Sequence, residues 1–194
     1  MKKFVGDISK QDAELLVRYA MSSSRILEFG VGGSTQVIAQ SIPPSTTFIS
    51  IDTSGEWIER TRENLRRLGV EGRCKMLLYK DWPATSGPFD FIFDDGEGSY
   101  RREFAMKTFP LLSVGGVMLF HDTRRLDYFQ NVLAVMEAFF EEIEHVHLNE
   151  RSSGVSSNIT VIRKKKKESY VNWNIGKDAW QQGHGPVPEN FWRS

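Results

Sequence analysis

One cysteine, Cys74, stands in a chain of 194 residues. A single thiol excludes an internal disulfide and any zinc site built from several cysteines. Set among apolar neighbours, Cys74 is expected to pack rather than react. No apolar run is long enough to cross a bilayer, and Met1-Lys2-Lys3 does not lead into the apolar core of a signal peptide, so a cytoplasmic protein with no membrane partner is expected. An excess of charge is missing too, since Lys+Arg and Asp+Glu number 25 each. With no net field to attract a polyanion, nucleic acid is not expected as a partner. The basic run Arg163 to Lys167 reads as a solvated element end. Internal repeats are absent, and the length and the 40% hydrophobic content fit one domain with a full core.

What is present alternates between two periods. Ser9-Lys10-Gln11-Asp12 has the form of a helix-capping box, and Ala13, Leu16 and Ala20, or Leu15, Leu16 and Tyr19, follow at helical spacing. Arg25–Phe29 is a short apolar run ended by glycines, as a buried strand requires. A helix over 34–42 stops at Pro43-Pro44, and Thr47–Ile51 is a second strand rich in β-branched residues. Ser54 to Leu68 predicts a helix closed by Gly69. Strands follow at 75–79, 89–93 and 114–120, with a helix over 101–112. Leu126, Phe129, Leu133, Met136, Phe140 and Ile143 then step by three and four, which predicts a long amphipathic helix. Runs at 144–149 and 158–163 read as a closing hairpin turned at Arg151-Ser152-Ser153-Gly154. The alternation predicts an α/β domain over 1–163, a mostly parallel sheet with right-handed crossovers and helices on both faces. Residues 164–194 have no period and hold Trp173, Trp180, Phe191 and Trp192, too many aromatic rings for a solvated tail. An aromatic extension, serving as a lid or as an arm that builds a homo-oligomer, is expected.

Two segments carry chemistry. Glu28-Phe29-Gly30-Val31-Gly32-Gly33-Ser34-Thr35 follows the first strand directly. Glycines at such a turn let backbone approach a ligand, and the next helix offers first-turn N–H groups. Asp52 ends the second strand, where a carboxylate can accept both hydroxyls of a ribose. A dinucleotide fingerprint requires glycine at position 35, and Thr35 stands there. The second segment is Asp90-Phe91-Ile92-Phe93-Asp94-Asp95-Gly96-Glu97-Gly98-Ser99-Tyr100, followed by Gly115-Gly116 and by Phe120-His121-Asp122.

The first of these resembles motif E-x-G-x-G of the class I S-adenosylmethionine-dependent methyltransferases, with Ser34 where many members carry a third glycine. The second is similar to the small-molecule O-methyltransferase branch of that class. Asp95, Gly96, Tyr100, Gly115, Gly116, His121 and Asp122 match, and Gly98 stands in place of a histidine. Likeness runs from Arg25 to Asp122 and lacks the Asp/Asn-Pro-Pro-Tyr motif of nucleic-acid and amide methylation. It implies a Rossmann-like seven-stranded sheet of order 3-2-1-4-5-7-6 and methyl transfer to a small-molecule hydroxyl. S-adenosylmethionine is then expected against Glu28, Gly30, Gly32, Ser34, Asp52 and Asp94, with Asp81 and Trp82 at the adenine; core packing is the alternative for Trp82. Asp95, His121 and Asp122 become the catalytic candidates. Asp95 and Asp122 become ligands of a divalent cation such as magnesium, with Thr123 where the catechol-type members carry asparagine. Without a metal, His121 or Asp95 is the base; in the blander reading His121 and Asp122 cap a helix. A protein or nucleic-acid acceptor, or a cofactor-binding chain without chemistry, are the rival functions.

Overall fold

The computed structural model describes residues 8–83, 87–152 and 155–165. Ser9 opens α1 (Lys10–Ala20) by accepting the Asp12 N–H on its hydroxyl. Five parallel strands and four more helices alternate after it: β1 (Arg25–Phe29), α2 (Gly33–Ser41), β2 (Thr47–Asp52), α3 (Gly55–Leu68), β3 (Lys75–Leu78), β4 (Phe89–Asp94), α4 (Gly98–Thr108), β5 (Leu112–His121) and α5 (Leu126–Ala138). β6 (Ile143–His147) and β7 (Ile159–Lys164) close the sheet, both antiparallel to their neighbours. The order is β3-β2-β1-β4-β5-β7-β6, as the resemblance implies. Between β6 and β7 the short segments Arg151–Ser152 and Val155–Ser156 pair as a two-stranded ribbon.

Strand side chains alternate between two cores. Ile26, Phe91, Phe93, Val117, Leu119 and Val161 meet α1, α2 and α3 through Leu15, Leu16, Ile38 and Leu65. Leu27, Phe29, Ile92, Met118, Phe120 and Ile162 meet α4 and α5 through Phe104, Ala105, Val132 and Val135. Each fully buried phenylalanine or leucine contributes about 1.5–3 kcal/mol of transfer free energy, so both faces are firmly covered. Cys74 packs half-buried against the first core, and burial pushes its thiol well above its ordinary value, as expected of an unreactive residue. Among the described residues no helix is long and apolar enough to cross a membrane.

Four expectations need correction. α4 begins at Gly98 and ends at Thr108, and Phe109–Leu111 forms a 3-10 turn into β5. Pro110 lacks an N–H and cannot extend the α-helical ladder. Tyr79 leaves the third strand for a 3-10 turn, Tyr79–Asp81. The largest error concerns α5, which stops at Ala138, so that Phe140 lies in a 3-10 turn and Ile143 opens β6. Of the proposed apolar stripe, Leu126, Leu133 and Phe140 are exposed at 71%, 45% and 76%. Phe129 and Met136 pack partly on the core, and the fully buried face runs through Val132 and Val135 instead. Arg163 and Lys164 are not a solvated run either. Arg163 donates to the Gly115 carbonyl and Lys164 to that of Pro110. The turn at Ser153-Gly154 and residues 166–194 lie outside the described residues.

Candidate active site

The carboxyl ends of β1, β2, β4 and β5 converge on one cavity of about 710 Å³. Open parallel sheets place their ligand sites here, because the strand order reverses and the loops part between β1 and β4. Gly30 continues β1 with its N–H on the Ile51 carbonyl, and Asp95 continues β4 with its N–H on that of Phe29. Gly30 sits at φ +97°, and a Cβ there would lie 2.4 Å from the Asp95 carbonyl oxygen. Only glycine allows the two loops to approach so closely. At Gly32 the opposite holds: a Cβ would meet nothing within 4 Å. That open space, beside the first turn of α2, is a cradle in which a ligand can reach helix N–H groups.

Asp52 fixes the neighbouring wall. Its Oδ2 accepts the Val31 N–H at 2.9 Å and its Oδ1 that of Ser54 at 2.7 Å. Each oxygen keeps a second lone pair for a ligand hydroxyl. Thr53, Ser54, Trp57 and Glu97 complete this side of the cavity.

The opposite side is built around His121, which is 6% exposed. Its Nδ1 lies 2.9 Å from Asp95 Oδ1 and 3.8 Å from Asp122 Oδ1, and its Nε2 lies 3.4 Å from Asp12 Oδ2. Burial disfavours the imidazolium, but the bonds to Asp12 and Asp95 outweigh it and push the His121 pKa up to about 10. Burial also pulls the Asp12 carboxyl upward, and bonds from His121, Ser9 and Asn158 more than offset it and leave it below its ordinary value. Arg101 is buried behind this group. Its guanidinium donates to Asp95 Oδ1 at 2.7 Å, to the Gly96 carbonyl at 2.8 Å and to the His121 carbonyl at 2.9 Å, and lies over the Tyr128 ring. One cation thereby ties the end of β4 to the end of β5. Asp122 sits at φ 59°, a left-handed conformation that aspartate tolerates at modest cost and that often marks a functional position. Asn158 donates its amide to Asp122 Oδ1 at 2.6 Å and its backbone N–H to Asp12 Oδ1 at 2.8 Å.

Gly30, Gly32, Ser34, Asp52, Asp95, His121 and Asp122 thus line one cavity, whereas Glu28, Asp81, Trp82 and Asp94 do not. Glu28 is fully buried and accepts the hydroxyls of Ser34, Thr35 and Ser50 at 2.5–2.6 Å. It braces the glycine loop from below rather than facing a ligand. Asp81 is exposed on the 3-10 turn, and Trp82 packs into the core against Phe104. Asp94 is fully buried, and burial pushes its carboxyl up to about 8. His121 has a carboxylate oxygen at each ring nitrogen, that of Asp95 at Nδ1 and that of Asp12 at Nε2. His145 and His147 meet edge-on at 5.8 Å on the outer strand, an ordinary exposed pair. Asp12, Arg101 and Asn158 escape a linear reading altogether. Asp12 carries a capping signal, and nothing local to 101 or 158 announces a site 20 or 36 positions away.

No family model matches the chain, and no curated protein matches it in sequence. Solved structures do match. The cofactor-bound Rv0187 protein of MTB superposes with a TM-score of 0.66 at 18% identity, covering 83% of each chain. The O-methyltransferase TomG of Streptomyces achromogenes, involved in tomaymycin synthesis and solved with S-adenosylmethionine, gives 0.64 at 18% identity over 82% of each. A Bacillus cereus O-methyltransferase in complex with S-adenosylhomocysteine gives 0.63 at 18%, over 81% of this chain and 83% of that one. With its sheet order and its cavity at the switch point, this chain has the Rossmann-like fold of the class I S-adenosylmethionine-dependent methyltransferases.

Proposed function

We propose that the protein transfers a methyl group from S-adenosylmethionine to a hydroxyl of a small molecule. The observation that carries this reading is the division of one cavity into two halves. A glycine cradle with a ribose-type carboxylate, Asp52, lies at β1 and β2. A charged cluster lies at β4 and β5. Support for the reaction class comes from the O-methyltransferases TomG and that of Bacillus cereus, which share the fold and hold the cofactor or its product.

The chain's own residues divide the work. Gly32 and the first turn of α2 receive the amino-acid end of the cofactor, and Asp52 accepts from its ribose. The bound cofactor supplies an electrophilic methyl group. Transfer is an in-line displacement, so holding the acceptor oxygen on the far side of that methyl group provides much of the rate. Asp95, pinned by Arg101 and His121, sets the cluster's geometry. Asp122 is the carboxylate with fewest commitments, and it orients the acceptor hydroxyl and takes its proton.

A divalent cation fits the same cluster. Donor atoms of Asp95, His121 and Asp122 lie within 4.8 Å of one another. Arg101 and His121 occupy only Oδ1 of Asp95, and Asn158 only Oδ1 of Asp122. When bound there, a cation lowers the pKa of the acceptor hydroxyl.

Titration calorimetry with S-adenosylhomocysteine tests the first half. The product binds the native chain, and Asp52→Ala weakens it at least about tenfold, since hydrogen bonds to a charged group are worth about 1.5–3 kcal/mol each. Unchanged affinity removes the ribose role. For the second half, release of S-adenosylhomocysteine is followed over a panel of hydroxylated acceptors. Asp122→Asn cuts turnover far more than cofactor affinity, and chelator abolishes it until a divalent ion is restored. Turnover indifferent to chelator leaves Asp122 acting alone.

A further inference from the structure

α5 buries one face and carries apolar side chains on the other as well. Val132 and Val135 pack into the core. Leu126, Leu133 and Phe140 recur every seven residues on the outer side, the last of them in the turn that follows the helix, and stand exposed at 71%, 45% and 76%. We propose that this outer face is a homodimer interface, on which α5 of a second copy lies antiparallel across a two-fold axis at Leu133.

Spacing is the first support. Seven residues bring a helix back to nearly the same face, with a drift of about 20°, and carry it about 10 Å along its axis. Apolar residues at that interval form the seam by which two helices pack at a shallow crossing angle. Leu133 is the midpoint of the stripe. A two-fold axis there sets Leu133 against its own mate and exchanges the positions seven before and seven after it. Leu126 of one copy then meets Phe140 of the other, at both ends. The patch is complementary to itself, as a two-fold interface requires.

Charge supplies a second, independent match. Arg124 and Arg125 stand nine and eight residues before Leu133, and Glu142 and Glu141 stand nine and eight after it. All four are exposed. The same axis therefore sets Arg125 against Glu141 of the second copy, and Arg124 against its Glu142. Within the chain Arg125 pairs with Asp127 and Glu142 with Lys164. A guanidinium with five N–H groups can keep one carboxylate and take another. A parallel pairing would instead bring arginine to arginine and glutamate to glutamate, which costs affinity and selects the antiparallel register. The interface also reaches the cavity from outside. Arg125 donates its N–H to the Asp122 carbonyl and Arg124 its N–H to Asn158 Oδ1, so the second copy braces the turn that carries Asp122.

Sedimentation velocity of the full chain over a series of concentrations is expected to show a reversible dimer. Leu133→Lys puts two like charges on the axis and is expected to weaken the dimer at least about tenfold, while its circular dichroism and its thermal unfolding in dilute solution match the native chain. Arg125→Glu is expected to weaken it as well, and Arg125→Glu combined with Glu141→Arg to restore it, since the exchange rebuilds the pairs with reversed sign. A native chain that stays monomeric at every concentration overturns the inference, and is the result expected if residues 166–194 of the same chain cover the face instead. A dimer left intact by Leu133→Lys is held by another surface and overturns it too. So does a charge exchange that fails to restore the dimer, because the antiparallel register is then wrong.

Discussion

Glu28 is a carboxylate that the fold has removed from water to hold a loop. Burial dominates its titration and pushes its pKa up to about 7, against the pull of three hydroxyl donors. In the unfolded chain the group ionises near pH 4.5. Between the two values the folded state keeps a proton that the unfolded state has lost, so this group's contribution to stability falls as pH rises from about 4.5 to about 7 and is level beyond. A shift of this size corresponds to roughly 3–4 kcal/mol. Denaturant unfolding of Glu28→Gln across that window is expected to show a flatter profile than the native chain; parallel profiles would place the titration elsewhere. Arg101 answers to the same scale. The carbonyls of Gly96 and His121 would lose their guanidinium donor and Asp95 one of its two partners, and Arg101→Leu is expected to cost about 2–4 kcal/mol in urea unfolding. A loss below about 1 kcal/mol would show that the strand ends do not depend on it.

Among the elements, α5 offers the sharpest contrast between sequence pattern and packing. Val132 and Val135 are fully buried, and Phe129, Met136 and Phe139 pack partly on the same core. Leu133 stands on the outer face at 45% exposure. Val135→Ala should therefore destabilise by roughly 2 kcal/mol, through lost transfer free energy and a cavity. Leu133→Ala should stay within about 0.5 kcal/mol. Equal losses from thermal unfolding would restore the stripe read from the sequence. The strands were the more legible elements. β1 was read to its last residue, and β2, β4 and β7 to within a residue or so, because buried parallel strands are short, apolar and bounded by glycine or polar turns. Helix ends were harder, since 3-10 turns at Tyr79–Asp81, Phe109–Leu111 and Phe140–Glu142 continue the apolar pattern without continuing the helix.

At the scale of the whole molecule, the aromatic extension remains a proposal of the sequence. Three of the five tryptophans, Trp173, Trp180 and Trp192, lie beyond Lys165, and leaving such rings in water forgoes roughly 1.5–3 kcal/mol each. Truncation after Lys167, followed by light scattering and turnover, separates its two roles. An exchanged arm predicts dissociation, and a lid predicts an intact assembly with altered turnover. No change in either, with a protease-sensitive extension, would set both aside. The sequence by itself determined the alternation of strand and helix, hence a doubly covered sheet; it marked Gly30, Gly32 and Asp52 by their place at strand ends, and Asp95, His121 and Asp122 through the resemblance. Tertiary structure alone decided which carboxylates face the cavity and which are spent inside the fold, as with Glu28 against Asp52. It also brought Asp12, Arg101 and Asn158 to His121 from α1, α4 and the approach to β7. The reason is physical. Periodicity reports which side of an element is apolar, whereas a charge network depends on which strand ends the sheet order makes neighbours, and β7 reaches β5 only by turning back antiparallel from the edge.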